Sequence, residues 1–160
     1  MNRKPAPVLI ERAMLLRADQ PDVGCIEQLV SFQRSGQRLI LIAPRPRRWR
    51  PTRNSVDHDL AIQQNLHQQF SRAGAEIDGF CYLSTGLFSR KPSKRSEFEG
   101  IAQRYGRNVS DLVLIGSDQA LIESFAAAGG TTLPIAAGGS NESASEWLAA
   151  ALGRLRSQSG

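Results

Sequence analysis

The sequence contains little of what disulfide-bonded or metal-binding proteins need. Its 160 residues include two cysteines and two histidines, and Cys25 and Cys81 show no CxxC or Cys/His spacing. We therefore expect both thiols to be reduced and buried, with no disulfide and no zinc site. His58 and His67 lie nine residues apart, which is not a metal-pair spacing, so we interpret both as ordinary surface or boundary histidines.

Long apolar runs are also missing. None approaches the roughly 18 residues that a membrane-spanning helix needs. The N-terminal stretch starts with basic residues, but Glu11, Arg12 and Arg17 interrupt its apolar part, which makes it a poor signal peptide. Together with reduced cysteines, this predicts a cytoplasmic protein that contacts no membrane. The composition, 41% hydrophobic and 22% charged, is typical of a globular domain with a substantial core.

Predicted strands and helices alternate along the chain. The strands are expected at residues 7–15, 38–43, 79–84, 111–116 and 131–135. Helical patterns separate them, and Gly36, Gly74 and Gly106 are placed to end three of the helices. Strict alternation predicts a three-layer α/β Rossmann-like domain with a central, mostly parallel sheet.

We expect the whole chain, residues 1–160, to form a single domain. Its core is predicted to cover about residues 7–136, and a C-terminal helix about residues 143–156.

Positive charge concentrates directly after the second predicted strand. Residues 44–53 contain five arginines and three prolines. Ligands in open α/β sheets bind outside the carboxyl ends of the strands, and arginine forms bidentate bonds with phosphate or carboxylate. We interpret this arginine loop, with Arg45, Arg47 and Arg48, as an anion- or partner-binding segment. The alternatives are a solvated loop that pairs with the chain's own acids, and a nucleic-acid contact in which Trp49 stacks on a base.

Three motifs occur in a recognisable order: the helix and strand PDVGCIEQLVSFQRSGQRLILIA, the tripeptide Arg90-Lys91-Pro92, and LVLIGSD followed by AAAGG. This order of parts resembles the haloacid dehalogenase (HAD) superfamily of phosphatases, most closely the branch that dephosphorylates histidinol phosphate and heptose bisphosphate. The resemblance covers about residues 7–136. It implies a HAD-like domain, here without a sizeable cap domain.

The resemblance also implies four catalytic elements at the strand ends. In the family, an aspartate closing the first strand attacks phosphorus, and a second aspartate two residues later protonates the leaving group. A hydroxyl residue after the second strand, commonly followed by asparagine, holds the phosphoryl oxygens, and a lysine steadies the charge. A Gly-Asp pair with a further acid four residues later completes a magnesium site.

The first two elements are altered in this sequence. Glu11 occupies the nucleophile position with one extra methylene, and a displacement of about 1 Å can reduce a rate about a hundredfold. Ala13 occupies the acid position and has no proton to donate. Ala43-Pro44 replaces the hydroxyl and amide pair. The non-catalytic interpretation of Glu11 is a strand-end carboxylate that forms an ion pair with Arg12 or a neighbouring arginine.

Of the remaining elements, the lysine is kept as Lys91, beside Arg90. Ser117 stands where the magnesium-binding aspartate belongs, and Leu121 stands at the later acidic position. Asp118 is out of register and is suited to capping the following helix. The cysteine and histidine zinc loop found in many members of this branch is absent as well.

The leading hypothesis is therefore a catalytically degenerate HAD-phosphatase-like domain. Such a pseudoenzyme would need no cofactor and would bind a small anionic, phosphate-bearing ligand or an acidic protein partner. The candidate ligand-binding residues are Arg45, Arg47, Arg48, Arg90, Lys91 and, at the start of a helix, Ser117.

Two other hypotheses stay open, so the sequence does not decide whether the chain is an enzyme. In the first, a weakly active Mg²⁺-dependent phosphatase acts on a small phosphorylated sugar or related metabolite. Glu11 would then be the nucleophile or a metal ligand, and Asp118 a displaced metal ligand. In the second, the chain binds nucleic acid through the arginine loop and Trp49.

Overall fold

A parallel sheet forms the centre of the computed structural model, which describes residues 5–44, 53–83, 91–134 and 144–158. The strands are β1 Val8–Glu11, β2 Leu16–Arg17, β3 Gln20–Pro21, β4 Leu39–Pro44, β5 Gly79–Leu83, β6 Val113–Gly116 and β7 Thr131–Pro134. Five of them form the central sheet in the order β5-β4-β1-β6-β7, and all four pairings are parallel. The strands β2 and β3 form a separate antiparallel hairpin.

Helices cover both faces of this sheet. They are α1 Val23–Arg34, α2 Arg53–Arg72, α3 Lys91–Arg104, α4 Gln119–Ala127 and α5 Ala144–Gln158. One apolar cluster joins α1, α2 and α5 to one face of the sheet, and a second cluster joins α3 and α4 to the other. The predicted three-layer, Rossmann-like α/β fold is therefore confirmed. In the described part of the chain, none of these helices has the length and apolar character needed to cross a bilayer.

The two central strands explain why the sequence folds this way. Leu9, Ile10 and the run Leu39–Ile42 are fully buried, because β1 and β4 have neighbours on both edges and helices on both faces. Continuous apolar runs are what such doubly covered parallel strands require. Successive side chains therefore enter opposite clusters, with Ile10 in one and Leu9 in the other.

The structure differs from the predicted elements mainly after β1. That strand ends at Glu11, and residues Arg12–Leu15 form a 3₁₀ turn that leads into the β2–β3 hairpin. This hairpin covers residues 16–21, directly after the predicted strand 7–15, and the sequence did not predict it. Within the described residues, the turn and the hairpin are all that separates β1 from α1, so no sizeable cap domain is inserted there.

The two cysteines are free thiols in different surroundings. Cys25 is buried, as predicted, and burial, with the nearby Asp22 carboxylate, raises the pKa of its thiol to about 12. Cys81 is only half-buried, which corrects the expectation that both are buried. Burial still raises the pKa of Cys81, although Arg104 opposes the shift. Both thiols therefore stay protonated and weakly nucleophilic near neutral pH.

The tip of the β2–β3 hairpin places a side chain in an unfavourable backbone region. Ala18 and Asp19 have φ angles of 48° and 60°, and they form the two-residue loop between the paired residues Arg17 and Gln20. Two positive φ angles define the type I′ turn that suits short hairpins, but alanine in this region is strained by about 1 kcal/mol.

Replacing Ala18 by asparagine is expected to raise the free energy of unfolding by about 0.5–1 kcal/mol, because asparagine tolerates a positive φ. Chemical denaturation measures this change. The matched control is Ala61→Asn, at an exposed helical position, which should lower the free energy of unfolding by about 0.5 kcal/mol. Destabilisation of both variants to the same extent would contradict the strained turn.

Candidate functional site

The carboxylate of Glu11 lies at the start of α4. Its Oε2 accepts hydrogen bonds from the backbone N–H of Ser117, at 2.7 Å, and of Asp118, at 3.1 Å. The register of the sheet explains this contact, because β1 and β6 are neighbours and their carboxyl ends lie side by side. The structure thus brings together Glu11, Ser117 and Asp118, three of the residues singled out in the sequence.

The backbone at Gly116 makes room for this carboxylate. A Cβ atom on Gly116 would lie 2.9 Å from Oε2 of Glu11, closer than side chains tolerate, and 3.6 Å from the Cβ of Glu11, which is an ordinary contact. Asp118 is the N-cap of α4, and its Oδ1 accepts a hydrogen bond from the N–H of Leu121 at 3.2 Å. The start of α4 therefore holds two carboxylates, each bonded to backbone N–H groups.

Arg12, the residue after Glu11, forms an ion pair with Asp59 that the sequence did not predict. It is only 7% exposed, and its Nη2 lies 2.5 Å from Oδ1 of Asp59 while its Nη1 lies 3.3 Å from Oδ2. The same Nη1 donates to Oε1 of Gln63 at 3.3 Å, and the guanidinium lies 5.5 Å from the centre of the Phe80 ring. Arg12 is thus paired with an acid of α2, although the sequence suggested Glu11 as its partner.

Tyr82 completes this polar network at the end of β5. Its hydroxyl donates a short hydrogen bond to Oδ2 of Asp59. Burial would raise the pKa of Asp59, but hydrogen bonds from Arg12 and Tyr82 outweigh burial and lower it. Burial, reinforced by Asp59, raises the pKa of Tyr82. The network therefore holds Asp59 ionised and Tyr82 neutral at neutral pH, and it ties together the 3₁₀ turn after β1, strand β5 and helix α2.

A weak signal for this network exists in the sequence. Asp59 precedes Ile62 and Leu66 by three and seven positions, so it belongs to the buried stripe of α2. An acid on such a stripe needs a buried cation, and Arg12 directly follows the buried strand β1. The pairing of two residues 47 positions apart, however, requires the three-dimensional arrangement.

The predicted basic residues follow β4 and β5 in the sequence. Arg45, Arg47, Arg48 and Arg90 lie outside the described residues, and for Lys91 only the backbone, at the start of α3, is described. The strands that precede them are described. Pro44 and Leu83, the last residues of β4 and β5, are paired in register. The arginine loop and the segment before α3 therefore begin at adjacent strand ends.

Both histidines are exposed, as predicted. Nε2 of His58 lies 3.0 Å from Oδ2 of Asp19 at the hairpin tip, and Nε2 of His67 lies 2.9 Å from Nε2 of Gln63. Neither contact involves a second histidine or a cysteine. The described contacts agree with the interpretation of these histidines as surface residues.

Solved structures with a similar fold include two described as phosphatases. The chain is similar to D,D-heptose 1,7-bisphosphate phosphatase from B. bronchiseptica, a structure in complex with magnesium and phosphate, at 14% identity and a TM-score of 0.66. The likeness covers 95% of this chain and 98% of that one. A candidate HAD-like phosphatase from Mesorhizobium loti matches at 11% identity and a TM-score of 0.65, over 98% and 88% of the two chains. No family model and no curated protein sequence matches the chain. The resemblance inferred from the sequence is therefore confirmed as a likeness of fold.

This fold implies a magnesium ion in active phosphatases, and the residues described do not fit one. Oε2 of Glu11 and Oδ1 of Asp118 accept hydrogen bonds from backbone N–H groups, whose partial positive charge would repel a cation. Among the described residues, no three His, Cys, Asp or Glu side chains lie close enough together to hold a metal ion. The segments 45–52 and 84–90, which follow β4 and β5, contain no such residue in their sequence.

Proposed function

We propose that the chain is a non-catalytic, phosphatase-like domain that binds a phosphate-bearing anion through the basic residues following β4 and β5. The residues assigned to binding are Arg45, Arg47, Arg48, Arg90 and Lys91. An acidic protein partner would be recognised by the same charges. Inorganic phosphate is the simplest small anion with which to probe them.

The proposed anion binding is supported by the register between β4 and β5. Because these strands end side by side, the chain leaves the sheet at the same end towards residues 45–53 and towards residues 90–95. The two segments contain nine of the chain's twenty Lys and Arg residues and none of its fifteen Asp and Glu residues. The rest of the chain is therefore net acidic, and such separation of charge directs anions to one end of the molecule.

The geometry at β1 supports the non-catalytic half. A nucleophilic carboxylate needs free lone pairs aimed at phosphorus, whereas Oε2 of Glu11 accepts two backbone hydrogen bonds. Ala13, at the position of the family's general acid, is exposed and carries no ionisable group. At positions 11 and 13, the described residues therefore do not supply the family's pair of groups for attack and for protonation of the leaving group.

Thermal denaturation with inorganic phosphate tests the binding. A ligand at about 100 times its Kd stabilises a protein by about 2.7 kcal/mol, which for a domain of this size raises Tm by about 5–10 °C. We expect this rise in the wild type and at most about half of it in Arg47→Gln/Arg48→Gln and in Arg90→Gln/Lys91→Gln. A charge-assisted hydrogen bond contributes about 1.5–3 kcal/mol, so each double variant should bind at least about tenfold more weakly.

The matched control removes two positive charges elsewhere. Arg72 and Arg154 are both exposed, near the ends of α2 and α5. Arg72→Gln/Arg154→Gln should keep the phosphate-dependent rise in Tm. If all three double variants lost the same part of the phosphate-dependent rise in Tm, the rise would depend only on the net charge of the protein. If phosphate did not raise the Tm of the wild type, the proposal would be overturned.

A phosphate-release assay separates this proposal from the phosphatase alternative. The wild type is expected to release no more phosphate from sugar and amino-alcohol phosphates than Glu11→Gln does, with or without Mg²⁺. Turnover that requires Mg²⁺ and disappears in Glu11→Gln would establish the enzyme instead. Binding of an oligonucleotide whose affinity falls steeply with salt would favour the nucleic-acid alternative.

A further inference from the structure

We infer that Glu11 is an internal ligand of α4: its carboxylate occupies the N–H groups to which an external anion would bind, and so closes that site in the wild type. This inference goes beyond the proposed function, because it concerns the start of α4 and not the basic segments after β4 and β5. The B. bronchiseptica phosphatase, which has a similar fold, binds magnesium and phosphate. In this chain, the carboxylate of Glu11 is bonded to backbone N–H groups instead.

The hydrogen bonds show that the occupant is already in place. The first N–H groups of a helix have no partner within the helix, and the N–H groups of Ser117 and of the N-cap Asp118, directly before α4, donate to one oxygen. Oε2 of Glu11 takes both of them, at 2.7 and 3.1 Å. A phosphate oxygen could reach these donors only by displacing the carboxylate.

The space around the contact is matched to Glu11. Gly116 is buried, and any Cβ there would meet Oε2 at 2.9 Å. The extra methylene of glutamate, compared with aspartate, is what carries the carboxylate across from β1 to α4. The same change that moves the group away from the nucleophile position thus gives it a second role, as a bridge between the end of β1 and the start of α4.

The local charge also opposes an external anion. The partial positive charge at a helix start corresponds to about half an elementary charge, and one carboxylate already exceeds it. Asp118 adds a second carboxylate, which caps the same helix through Leu121. An incoming phosphate would therefore meet net negative charge at the start of α4.

Amide resonances of Ser117 and Asp118 report on this site directly. In the wild type, titration with inorganic phosphate is expected to leave both resonances unshifted, even when Tm rises through binding elsewhere. In Glu11→Ala, the same titration should shift both resonances saturably. In Glu11→Gln, whose side-chain oxygen can still accept both bonds, the resonances should again stay unshifted.

Hydrogen exchange provides the second readout. Glu11→Asp keeps the charge but is too short to reach both N–H groups, so the amide protons of Ser117 and Asp118 should exchange about tenfold faster or more than in the wild type. Saturable phosphate shifts at these two residues in the wild type would overturn the inference, whether or not Glu11→Ala folds. So would wild-type exchange rates in Glu11→Asp, or absence of phosphate shifts in folded Glu11→Ala.

The two proposals fail in different ways. If phosphate does not raise the wild-type Tm, the proposed function fails, while the comparison of Glu11→Ala with the wild type still decides this inference. If phosphate binds the wild type at Ser117 and Asp118, the inference fails and binding itself stands.

Discussion

Replacing Asp59 by alanine is expected to lower the free energy of unfolding by about 3–5 kcal/mol, which is the largest effect we predict for a single substitution. The variant leaves the guanidinium of Arg12, only 7% exposed, without the carboxylate that it contacts through both of its terminal nitrogens. An uncompensated buried charge is strongly destabilising. Urea denaturation of the wild type and the variant measures the loss.

A double variant distinguishes the loss of the pair from the loss of one partner. Arg12→Met/Asp59→Leu removes both charges and fills similar space, so its free energy of unfolding should lie within about 1 kcal/mol of the wild type. Tyr82→Phe removes only the hydrogen bond to Asp59 and should lower stability by about 1 kcal/mol. If the double variant were as unstable as Asp59→Ala, the network would not be held by charge pairing.

The contribution of Asp59 has a definite pH dependence. Its pKa is lowered in the folded protein, since the hydrogen bonds from Arg12 and Tyr82 outweigh the opposing effect of burial. A lowered folded pKa means that the stabilisation is complete above the unfolded value, about 3.9, and is lost as pH falls through the lower folded value. The difference in stability between the wild type and Asp59→Asn should therefore shrink below about pH 4. A difference that stays constant from pH 7 to pH 3 would contradict an ionised Asp59.

The alternation of strands and helices could be read from the sequence because each element carries a strong local signal. The run Leu39–Ile42 is apolar throughout, since β4 is covered on both faces, and Gly36 has a φ of 97°, which suits the glycine predicted to end α1. The β2–β3 hairpin had no comparable signal. It is two residues long on each side, and its turn uses Ala18 and Asp19 in place of the usual Asn-Gly.

At the candidate site, the sequence predicted the residues better than their partners. Glu11, Ser117 and Asp118 were identified through the family resemblance, which places its catalytic elements at strand ends that the parallel topology brings together. The choice between Arg12 and the α4 backbone as the partner of Glu11 depends on how the chain turns after β1. That strand ends at Glu11, and Arg12 begins the 3₁₀ turn, from which its side chain contacts Asp59 of α2.

Gly130→Ala is expected to lower the free energy of unfolding by about 3 kcal/mol. A Cβ atom on Gly130 would overlap three carbons of the Phe125 ring, including Cδ1 at 2.6 Å. The ring cannot move aside easily, because Phe125 is fully buried and packs edge-on against Phe98, with 5.0 Å between ring centres. Overpacking of a buried ring typically destabilises by about 1–3 kcal/mol, and the rigid surroundings place this variant at the upper end. Thermal or urea denaturation measures the change.

Two other glycines give controls of graded severity. In Gly79→Ala the new Cβ meets the hydroxyl of Tyr105, the far end of a half-buried side chain that can rotate away, so the loss should be about 1 kcal/mol. In Gly153→Ala the new Cβ has open space within α5, and helix propensity should raise stability by about 0.5–1 kcal/mol.

Because Phe125 anchors α4, Gly130→Ala should also speed hydrogen exchange at Ser117, where the helix start contacts Glu11. Wild-type stability of Gly130→Ala, or unchanged exchange at Ser117 in a destabilised variant, would show that α4 does not depend on this packing.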